Sequence, residues 1–391
     1  MALQPAAGAR DRNPWEVDSN RRLRGRLAEV YRLWGYQEVD PPTIERLDTL
    51  EAGGAISERD MVRLAADEPL GLRPELTASI ARAACTRLAD RPRPLRLWAD
   101  GVTFRSSVSE GDGQRLHEAI QSGVELLGEP SASADRELMQ LLLAATATLG
   151  LRPEHQPTLL VGHHGLLDAL LESLPDTQRG ITRRALTDFD PLTLAQLPLP
   201  EEQRQRLTAL LSLRGDPSVV LAELERFQGR MPLLESLATT LAAVAPAARA
   251  QGVRLQLDPT FQPHFDLYDG LVLKLVCQGA DAPVAIASGG RYDGLVRRFS
   301  ADPEQAAGTG FGFAIEAIRD LLQQHAPQSQ SPAPWLVASR SGDLEAVLSR
   351  MTALHQAGEA AELHGPPCVS EAEAERLAMQ RGCRGAIWLA G

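Results

Sequence analysis

The chain has 391 residues, 43% of them hydrophobic, which is enough to bury a large core and to form two or three domains. Its 51 acidic residues outnumber its 40 basic ones, and the formal charge of −11 gives no support for a broad basic surface that would bind nucleic acid. A local basic stripe is still compatible with this balance. From its size and hydrophobic content, an ordinary globular protein is expected.

The cysteines and the N-terminal residues argue against several further classes of protein. Cys85, Cys277, Cys368 and Cys383 are scattered without a Cys-x-x-Cys pair, which argues against a zinc site and a disulfide framework. No signal-peptide pattern opens the chain, and no window approaches the roughly 18 apolar residues of a membrane span. We expect a soluble, cytoplasmic protein with no metal, no cofactor and no membrane partner.

The first predicted element is an amphipathic helix over residues 21–34. Its apolar face is formed by Leu23, Leu27, Val30, Tyr31 and Trp34. Gly35 follows as a stop signal. A short extended segment, Tyr36–Val39, then leads to Pro41-Pro42, which cannot continue a helix.

The middle of the chain predicts strands separated by a helical segment. Strands are predicted at Pro157–Val161, Val253–Leu257, Leu271–Val276 and Val284–Ala287, and a helix at Leu166–Leu174. Residues from about 170 to 250 are rich in Leu, Ala, Glu, Gln and Arg, the composition of packed helices. We interpret this segment as a helical insertion within a domain that spans residues 1–322.

The C-terminal part predicts a linker and a small α/β domain. Residues 323–332 are polar and contain two prolines, which is typical of a linker. Within residues 333–391, a strand at Trp335–Ala338 precedes a helix, and another strand, helix and strand follow. The apolar face of the first of these helices is formed by Leu344, Val347, Leu348, Met351 and Leu354.

Four sequence blocks occur in a fixed order along the larger domain. They are Leu72-Arg-Pro-Glu-Leu-Thr77, Gly101-Val-Thr-Phe-Arg105, Gln121-Ser-Gly-Val-Glu125 and Ser288-Gly-Gly-Arg-Tyr-Asp-Gly-Leu295. The Arg-Pro-Glu triplet alone is typical of a solvated turn, but the ordered series is similar to histidyl-tRNA synthetase and its relatives over residues 20–320. Residues 34–45 also resemble the first class II synthetase signature. The resemblance implies an α+β fold with a class II aminoacyl-tRNA synthetase-like antiparallel sheet flanked by helices.

The resemblance also implies a pocket for free histidine. The family's amino-acid pocket falls on Glu75, Thr77, Arg105, Gln121, Glu125, Tyr268 and Tyr292. Glu75 and Gln121 would suit the α-amino group, and Glu125 and Tyr268 the imidazole. Arg105 either binds a neighbouring carboxylate of the protein or holds the carboxylate of histidine. Taken singly, each acidic residue is equally compatible with a surface ion pair, and each tyrosine with core packing.

Two arginines of the synthetase pattern are missing. The stretch from Pro263 to Gly270 resembles the histidyl-tRNA synthetase signature, but its arginine position holds Pro263. The segment from Gly308 to Ile318 resembles the third class II signature, but its final arginine position holds Ala317. Arg319 lies two residues beyond, about 200° around a helix. Because adenylate formation needs cations at the phosphates, we expect no catalytic residue and no aminoacylation.

With these features the chain resembles the histidyl-tRNA synthetase-like regulatory subunits of ATP phosphoribosyltransferase, the first enzyme of histidine biosynthesis. This resemblance implies a short-form catalytic partner, free histidine as effector, a synthetase-like dimer and no productive tRNA binding. Two alternatives stay open, an active histidyl-tRNA synthetase with divergent signatures and a synthetase-derived RNA sensor. The C-terminal domain is either a shortened anticodon-binding-like domain or a small packing or oligomerisation domain, which the acidic helix around Glu371, Glu373 and Glu375 favours.

Overall fold

A computed structural model describes residues 5–54, 57–109, 113–262, 267–300, 302, 306–323 and 333–390. The chain forms two compact units, residues 1–325 and 326–391. Pro263 and the predicted linker residues 324–332 lie outside the described residues. None of the described helices is both long enough and apolar enough to cross a membrane.

The first unit alternates strands and helices. Its strands are β1 (Gln37–Glu38), β2 (Ile44–Arg46), β3 (Val62–Arg63), β4 (Leu70–Leu72), β5 (Leu95–Ser109), β6 (Gly113–Leu127), β7 (Thr158–His163), β8 (Arg254–Leu257), β9 (Leu271–Gln278), β10 (Pro283–Arg291) and β11 (Gly308–Ala314). Its helices are α1 (Pro14–Leu33), α2 (Leu47–Ala52), α3 (Thr77–Cys85), α4 (Ala132–Ala147), α5 (His164–Leu171), α6 (Asp176–Thr187), α7 (Pro191–Gln196), α8 (Glu201–Leu210), α9 (Pro217–Gln228), α10 (Pro232–Ala250), α11 (Asp293–Phe299) and α12 (Ile315–Gln323). Short 3₁₀ turns lie at Glu58–Asp60 and Pro153–His155.

The described strands of this unit build an eight-stranded sheet in the order β1-β5-β6-β11-β10-β9-β7-β8. The two outer pairs, β1 with β5 and β7 with β8, are parallel. The inner pairs are antiparallel. A smaller antiparallel sheet has the order β2-β4-β3. The predicted antiparallel α+β architecture is confirmed.

Helix α1 begins earlier than the sequence analysis predicted. Asn13 caps it, since its side chain accepts from the Glu16 N–H at 3.1 Å while the Glu16 carboxylate accepts from the Asn13 N–H at 2.9 Å. Pro14 occupies the first turn, where its missing N–H costs nothing. The predicted apolar face is buried except for Trp34, which follows the helix and is 37% exposed.

The two faces of the large sheet differ. Phe311 and Phe313 of β11, with Leu273 and Leu275 of β9, point into the main core, where residues of α1 and α4 also pack. Because side chains alternate along a strand, the intervening residues lie on the opposite face. There β11 contributes Gly310 and Gly312, and that face carries the candidate functional residues. Helices α5 to α10 lie between β7 and β8 in the chain.

The second unit is a small parallel α/β fold. It consists of β12 (Trp335–Ser339), α13 (Leu344–Gln356), β13 (Ala361–Leu363), α14 (Glu371–Arg381) and β14 (Gly385–Leu389). Strand β12 lies between β13 and β14 and is parallel to both. On α13, Val347 and Leu354 are buried, whereas Leu344 and Leu348 are exposed, so the predicted apolar face is only partly covered.

A buried arginine joins β10 to the start of α4. Arg291 lies 2.9 Å from an Asp135 carboxylate oxygen and 3.2 Å from one of Asp293. Its guanidinium also donates to the carbonyl oxygens of Ser131 at 3.1 Å and Glu129 at 3.4 Å. Burial raises the pKa of the Asp135 carboxyl, and the Arg291 charge opposes that rise. This cluster fixes the end of β10, from which Tyr292 emerges.

Replacing Arg291 by methionine should destabilise the protein by about 3 kcal/mol, because it leaves two partly buried carboxylates without their cation. Urea denaturation of the Arg291→Met variant measures the loss. The control is Arg32→Met, since Arg32 pairs with Glu29 on the exposed surface, where solvent screens the pair and its loss should change stability little. Equal losses for the two variants would contradict a structural role for Arg291.

Candidate functional site

The loop before α3 carries the first group of site residues. Arg73 is buried and donates from Nε to the Val102 carbonyl oxygen at 3.0 Å, so the Arg-Pro-Glu triplet is not a solvated turn. Two residues on, the Glu75 carboxylate accepts from the backbone N–H of Thr77 and, at 3.0 Å, from that of Ala78. It thereby satisfies two of the free N–H groups at the start of α3.

Glu125 on β6 lies at the centre of the site. Its carboxylate accepts from the Thr77 hydroxyl at 2.7 Å and from the Tyr292 hydroxyl. No arginine or lysine of the described part of the chain lies within 4 Å of Glu75 or Glu125, although both carboxylates are buried. Burial, with a smaller contribution from the nearby Glu75, raises the pKa of Glu125 to about 8, and the two hydroxyl hydrogen bonds oppose this rise. The pKa of Glu75 is raised by the same cause.

The two glycines of β11 make room for these side chains. Gly310 pairs with Glu125, and a Cβ at position 310 would overlap Glu125 Oε2 and lie 2.5 Å from the Val124 carbonyl oxygen. A Cβ at position 312 would likewise overlap Gln121 Nε2. Glu125 and Gln121 therefore lie flat across β11, which any larger residue at these positions would prevent.

The Gln121 side chain is oriented by a backbone N–H group. Its side-chain oxygen accepts from the Leu76 N–H at 3.2 Å, which orients the amide. The Nε2 group then lies over Gly312 and has no hydrogen-bond partner among the described residues. Gln121 consequently offers a donor to the open face, and its assignment to the α-amino group of a ligand stays a prediction.

Two tyrosines close the site from the other side. Tyr292 is buried, and its backbone N–H donates to the Gly308 carbonyl oxygen at 2.8 Å. Tyr268 is half-buried, and its ring packs against Gly290. A Cβ at position 290 would lie only 2.8 Å from that ring. The pKa of each phenol is raised, mainly by burial. Asp269 holds this corner together by accepting from the Asp293 N–H at 3.1 Å and from that of Gly294.

Arg105 lies at the edge of this group. It is exposed, and its Nε donates to the Pro74 carbonyl oxygen at 3.5 Å, next to Glu75. Its positive charge lowers the pKa of Glu75, although less than burial raises it. Within the described residues, no carboxylate forms a salt bridge with Arg105. The structure thus brings all seven predicted residues to one region, and their role as a binding site stays a prediction.

No arginine of α12 replaces the one missing at Ala317. Arg319 is 2% exposed and is held by Asp320 at 2.7 Å, by Glu16 at 3.4 Å and by the Asn20 side chain at 3.3 Å. It therefore joins α12 to α1 and does not reach the open face. Arg12 contacts Glu316 at 3.1 Å and Glu118 at 3.8 Å, so its charge is compensated by acidic neighbours.

One residue on the open face was missed by the sequence analysis. Lys274 on β9 is the only lysine of the chain. It is half-buried, and its Nζ lies 6.0 Å from the centroid of the Phe261 ring. Its rarity in a chain that otherwise uses arginine was the available signal. No carboxylate in the described ranges lies within 4 Å of it.

Comparison with known proteins first defines the class. The histidyl-tRNA synthetase family matches residues 8–318. A crystal structure from Bacillus halodurans is described as an ATP phosphoribosyltransferase regulatory subunit/histidyl-tRNA synthetase. It matches with a TM-score of 0.83 at 26% identity, and the match covers 100% of this chain and 99% of that one. Histidyl-tRNA synthetase from Nostoc sp. PCC 7120 has a TM-score of 0.80 at 18% identity, over 100% of this chain and 92% of that one, which supports the fold. The fold is that of the histidyl-tRNA synthetase-like class.

Full-length relatives narrow the class. The chain is 51% identical over 392 residues to the ATP phosphoribosyltransferase regulatory subunit of Synechococcus sp. (strain RCC307), covering 100% of both chains. It is also 51% identical over 390 residues to that of Prochlorococcus marinus (strain MIT 9303), again covering 100% of both. The chain belongs to the family of ATP phosphoribosyltransferase regulatory subunits.

Glu125 should make stability depend on pH. Its folded pKa is about 8 and thus above the ordinary 4.5, so the folded state keeps a proton that the unfolded state has lost. Its contribution is fully present below about pH 4.5 and is lost as pH rises to 8. Urea denaturation at several pH values should show this fall for the wild type relative to Glu125→Gln. A stability difference between the two proteins that stays constant with pH would contradict the shift. As a control, the stability of the wild type relative to Glu29→Gln, a change on the exposed surface, should show no such fall.

Replacing Gly310 by a larger residue should destabilise the folded protein. Gly310→Ala places a methyl group against Glu125 and the Val124 carbonyl, and such overpacking costs roughly 1–3 kcal/mol. The matched control is Gly25→Ala in α1, where a Cβ meets nothing within 4 Å and should stabilise by roughly 0.5–1 kcal/mol. Thermal unfolding measures both effects, and an unchanged melting temperature for Gly310→Ala would sink the packing argument.

Proposed function

We propose that this chain is a non-catalytic subunit of ATP phosphoribosyltransferase that acts in histidine biosynthesis. It assembles with a short-form catalytic chain, is required for that chain's activity, and makes the activity sensitive to free histidine. Its family membership supports the regulatory role. The catalytic partner and the histidine response are parts of the proposal that the site residues support.

The observation that carries the proposal is the contrast between the two halves of a synthetase-type site. Glu125, Thr77 and Tyr292 form a connected hydrogen-bonded group suited to a small polar ligand. On the nucleotide side, Ala317 provides no cation, and Arg319 is held by acidic partners elsewhere. Loss of a single transition-state donor typically costs 10²–10³-fold in rate. Such a site favours recognition of an amino acid without its activation.

Histidine fits the chemistry of the retained half. Its ring N–H groups need acceptors, and Glu125 offers a buried carboxyl group whose two oxygens are oriented by hydroxyl donors. The α-ammonium group needs a negative partner, for which Glu75 is available beside Thr77. Burial raises the pKa of both carboxyl groups, and a cationic ligand beside them would favour their charged form.

The proposed regulation is a linkage between binding and assembly. If histidine binds one arrangement of the complex more tightly, it shifts the population toward that arrangement by its differential affinity, commonly about 1–3 kcal/mol. Tyr292 directly follows β10, and Tyr268 lies in the segment before β9. They are the groups through which ligand binding would reach the surrounding surface.

The proposal includes self-association as a synthetase-like dimer. Exposed apolar side chains lie in and next to the segment that resembles the first class II signature, where Leu33 is 68%, Trp34 37% and Ile44 50% exposed.

The proposal also includes a cytoplasmic location and no productive binding of tRNA. The net charge of −11 disfavours tRNA binding.

Reconstitution with a short-form catalytic chain tests the proposal. The two proteins should co-purify, show phosphoribosyl transfer to ATP that neither shows alone at a comparable rate, and lose that activity when histidine is added. Glu125→Ala should raise the histidine concentration for half-inhibition by at least about tenfold, because a hydrogen bond to a charged group is lost. The exposed Glu29→Ala should behave as wild type.

Two results would count against it. Failure of the chain to bind or activate a short-form catalytic chain would remove the regulatory assignment. Robust histidine-dependent exchange between ATP and pyrophosphate by the purified chain would instead identify an active synthetase.

A further inference from the structure

The open face of the large sheet has an acidic end and an end that carries donors. Glu75 and Glu125 lie at the acidic end, with Thr77 and Tyr292. At the other end the hydrogen-bonding groups are an amide, a hydroxyl and an ammonium group, on Gln121, Ser288 and Lys274. A ligand that spans the face would therefore contact acceptors at the acidic end and donors at the other end.

Strand register places the donors together. Gly312 pairs with Ser288, and Ser288 pairs with Lys274, so these residues form one row across β11, β10 and β9. Paired residues share a face, and Gly312 and Lys274 are about 10 Å apart, two interstrand spacings. The Gln121 amide lies over Gly312. The row thus continues the site beyond Gln121.

The donors of this row are available to a ligand. Ser288 is exposed although it lies on a central strand. Gln121 Nε2 has no partner among the described residues, because its oxygen is the atom that binds Leu76 N–H. Lys274 has no carboxylate within 4 Å in the same part of the chain. Its flexible stem lets the ammonium group move along the row.

We propose that Lys274, with Ser288 and the Gln121 amide, binds the carboxylate of the amino-acid effector. This inference rests on the proposed function and adds how the ligand's anionic end is recognised. An amino acid with a ring N–H and an α-ammonium group complements the acidic end, and its carboxylate complements the donor row. Lys274 then acts as a specificity determinant for a free amino acid over its amine or alcohol analogues.

Arg105 is the competing cation. It lies at the opposite side of the group, on β5, with its guanidinium beside Pro74 and Glu75. The Arg105 charge acts on Glu75, whose pKa it lowers, whereas no carboxylate of the described residues lies within 4 Å of the Lys274 ammonium group. These surroundings favour Lys274 as the partner of a carboxylate.

Calorimetry with L-histidine and L-histidinol separates the two cations, since histidinol carries a hydroxyl where histidine has its carboxylate. Lys274→Met should weaken histidine binding roughly 10- to 100-fold and leave histidinol binding unchanged. Lys274→Arg should retain most of the histidine affinity. Arg297→Met removes an exposed positive charge elsewhere and should change neither affinity.

The outcomes distinguish this inference from the proposed function. An equal loss for both ligands in Lys274→Met, or no loss for histidine, overturns the role of Lys274. A carboxylate-dependent loss in Arg105→Met but not in Lys274→Met also overturns it. If the wild-type protein binds no histidine, alone or in the complex, the effector assignment itself fails and this inference fails with it.

The single lysine allows a second measurement that does not depend on a substitution. Reductive ¹³C-methylation keeps the positive charge and labels only Lys274 and the terminal amine of a tag-free chain. Histidine should shift the Lys274 dimethylamine resonance, and histidinol at saturation should not. Identical spectra with and without saturating histidine would rule out contact between Lys274 and the ligand.

Discussion

The site depends on the absence of side chains at Gly310 and Gly312. Because β11 is a central strand, its open face would normally carry a ridge of side chains between β6 and β10. Glycine at these positions lets the Glu125 carboxylate and the Gln121 amide lie directly on the β11 backbone. The remaining contacts follow from this placement, since Thr77 from α3 and Tyr292 from the end of β10 both reach Glu125 only while it lies flat.

Buried charge then gives the site its selectivity. Glu75 and Glu125 are held by backbone N–H groups and hydroxyls and form no ion pair with an arginine or lysine among the described residues, and burial raises the pKa of both. The arginines nearby are committed elsewhere, with Arg73 bound to backbone carbonyls, Arg291 to Asp135 and Arg319 to Glu16 and Asp320. The same distribution that removes cations from the nucleotide side leaves an acidic end in need of a cationic ligand.

Much of the fold followed from local pattern. The helix around Leu27, the strands near Leu159, Leu273 and Ile286, and the final α/β unit were predicted because apolar residues recur at the helical or strand period. The site residues followed from ordered motifs. The orientation of the Gln121 amide could not be predicted, because it depends on the tertiary contact in which its oxygen accepts from the Leu76 N–H. The exposure of Leu344 and Leu348 depends likewise on which neighbours cover α13.

The sequence by itself determined the class of protein, several of its helices and strands, the family of the chain and the residue types at the acidic end of the site. Those properties reside in local periodicity and in motifs that each lie within a short stretch of chain. Only the tertiary structure decided which groups stand free. Strand register brings Lys274 into the row of Gly312 and Ser288, and burial raises the pKa of Glu125 above that of ordinary carboxyl groups. The row depends on strand pairing between residues 14 and 24 positions apart, and the surroundings of Glu125 depend on residues more than 100 positions away in the chain, so no local pattern encodes them.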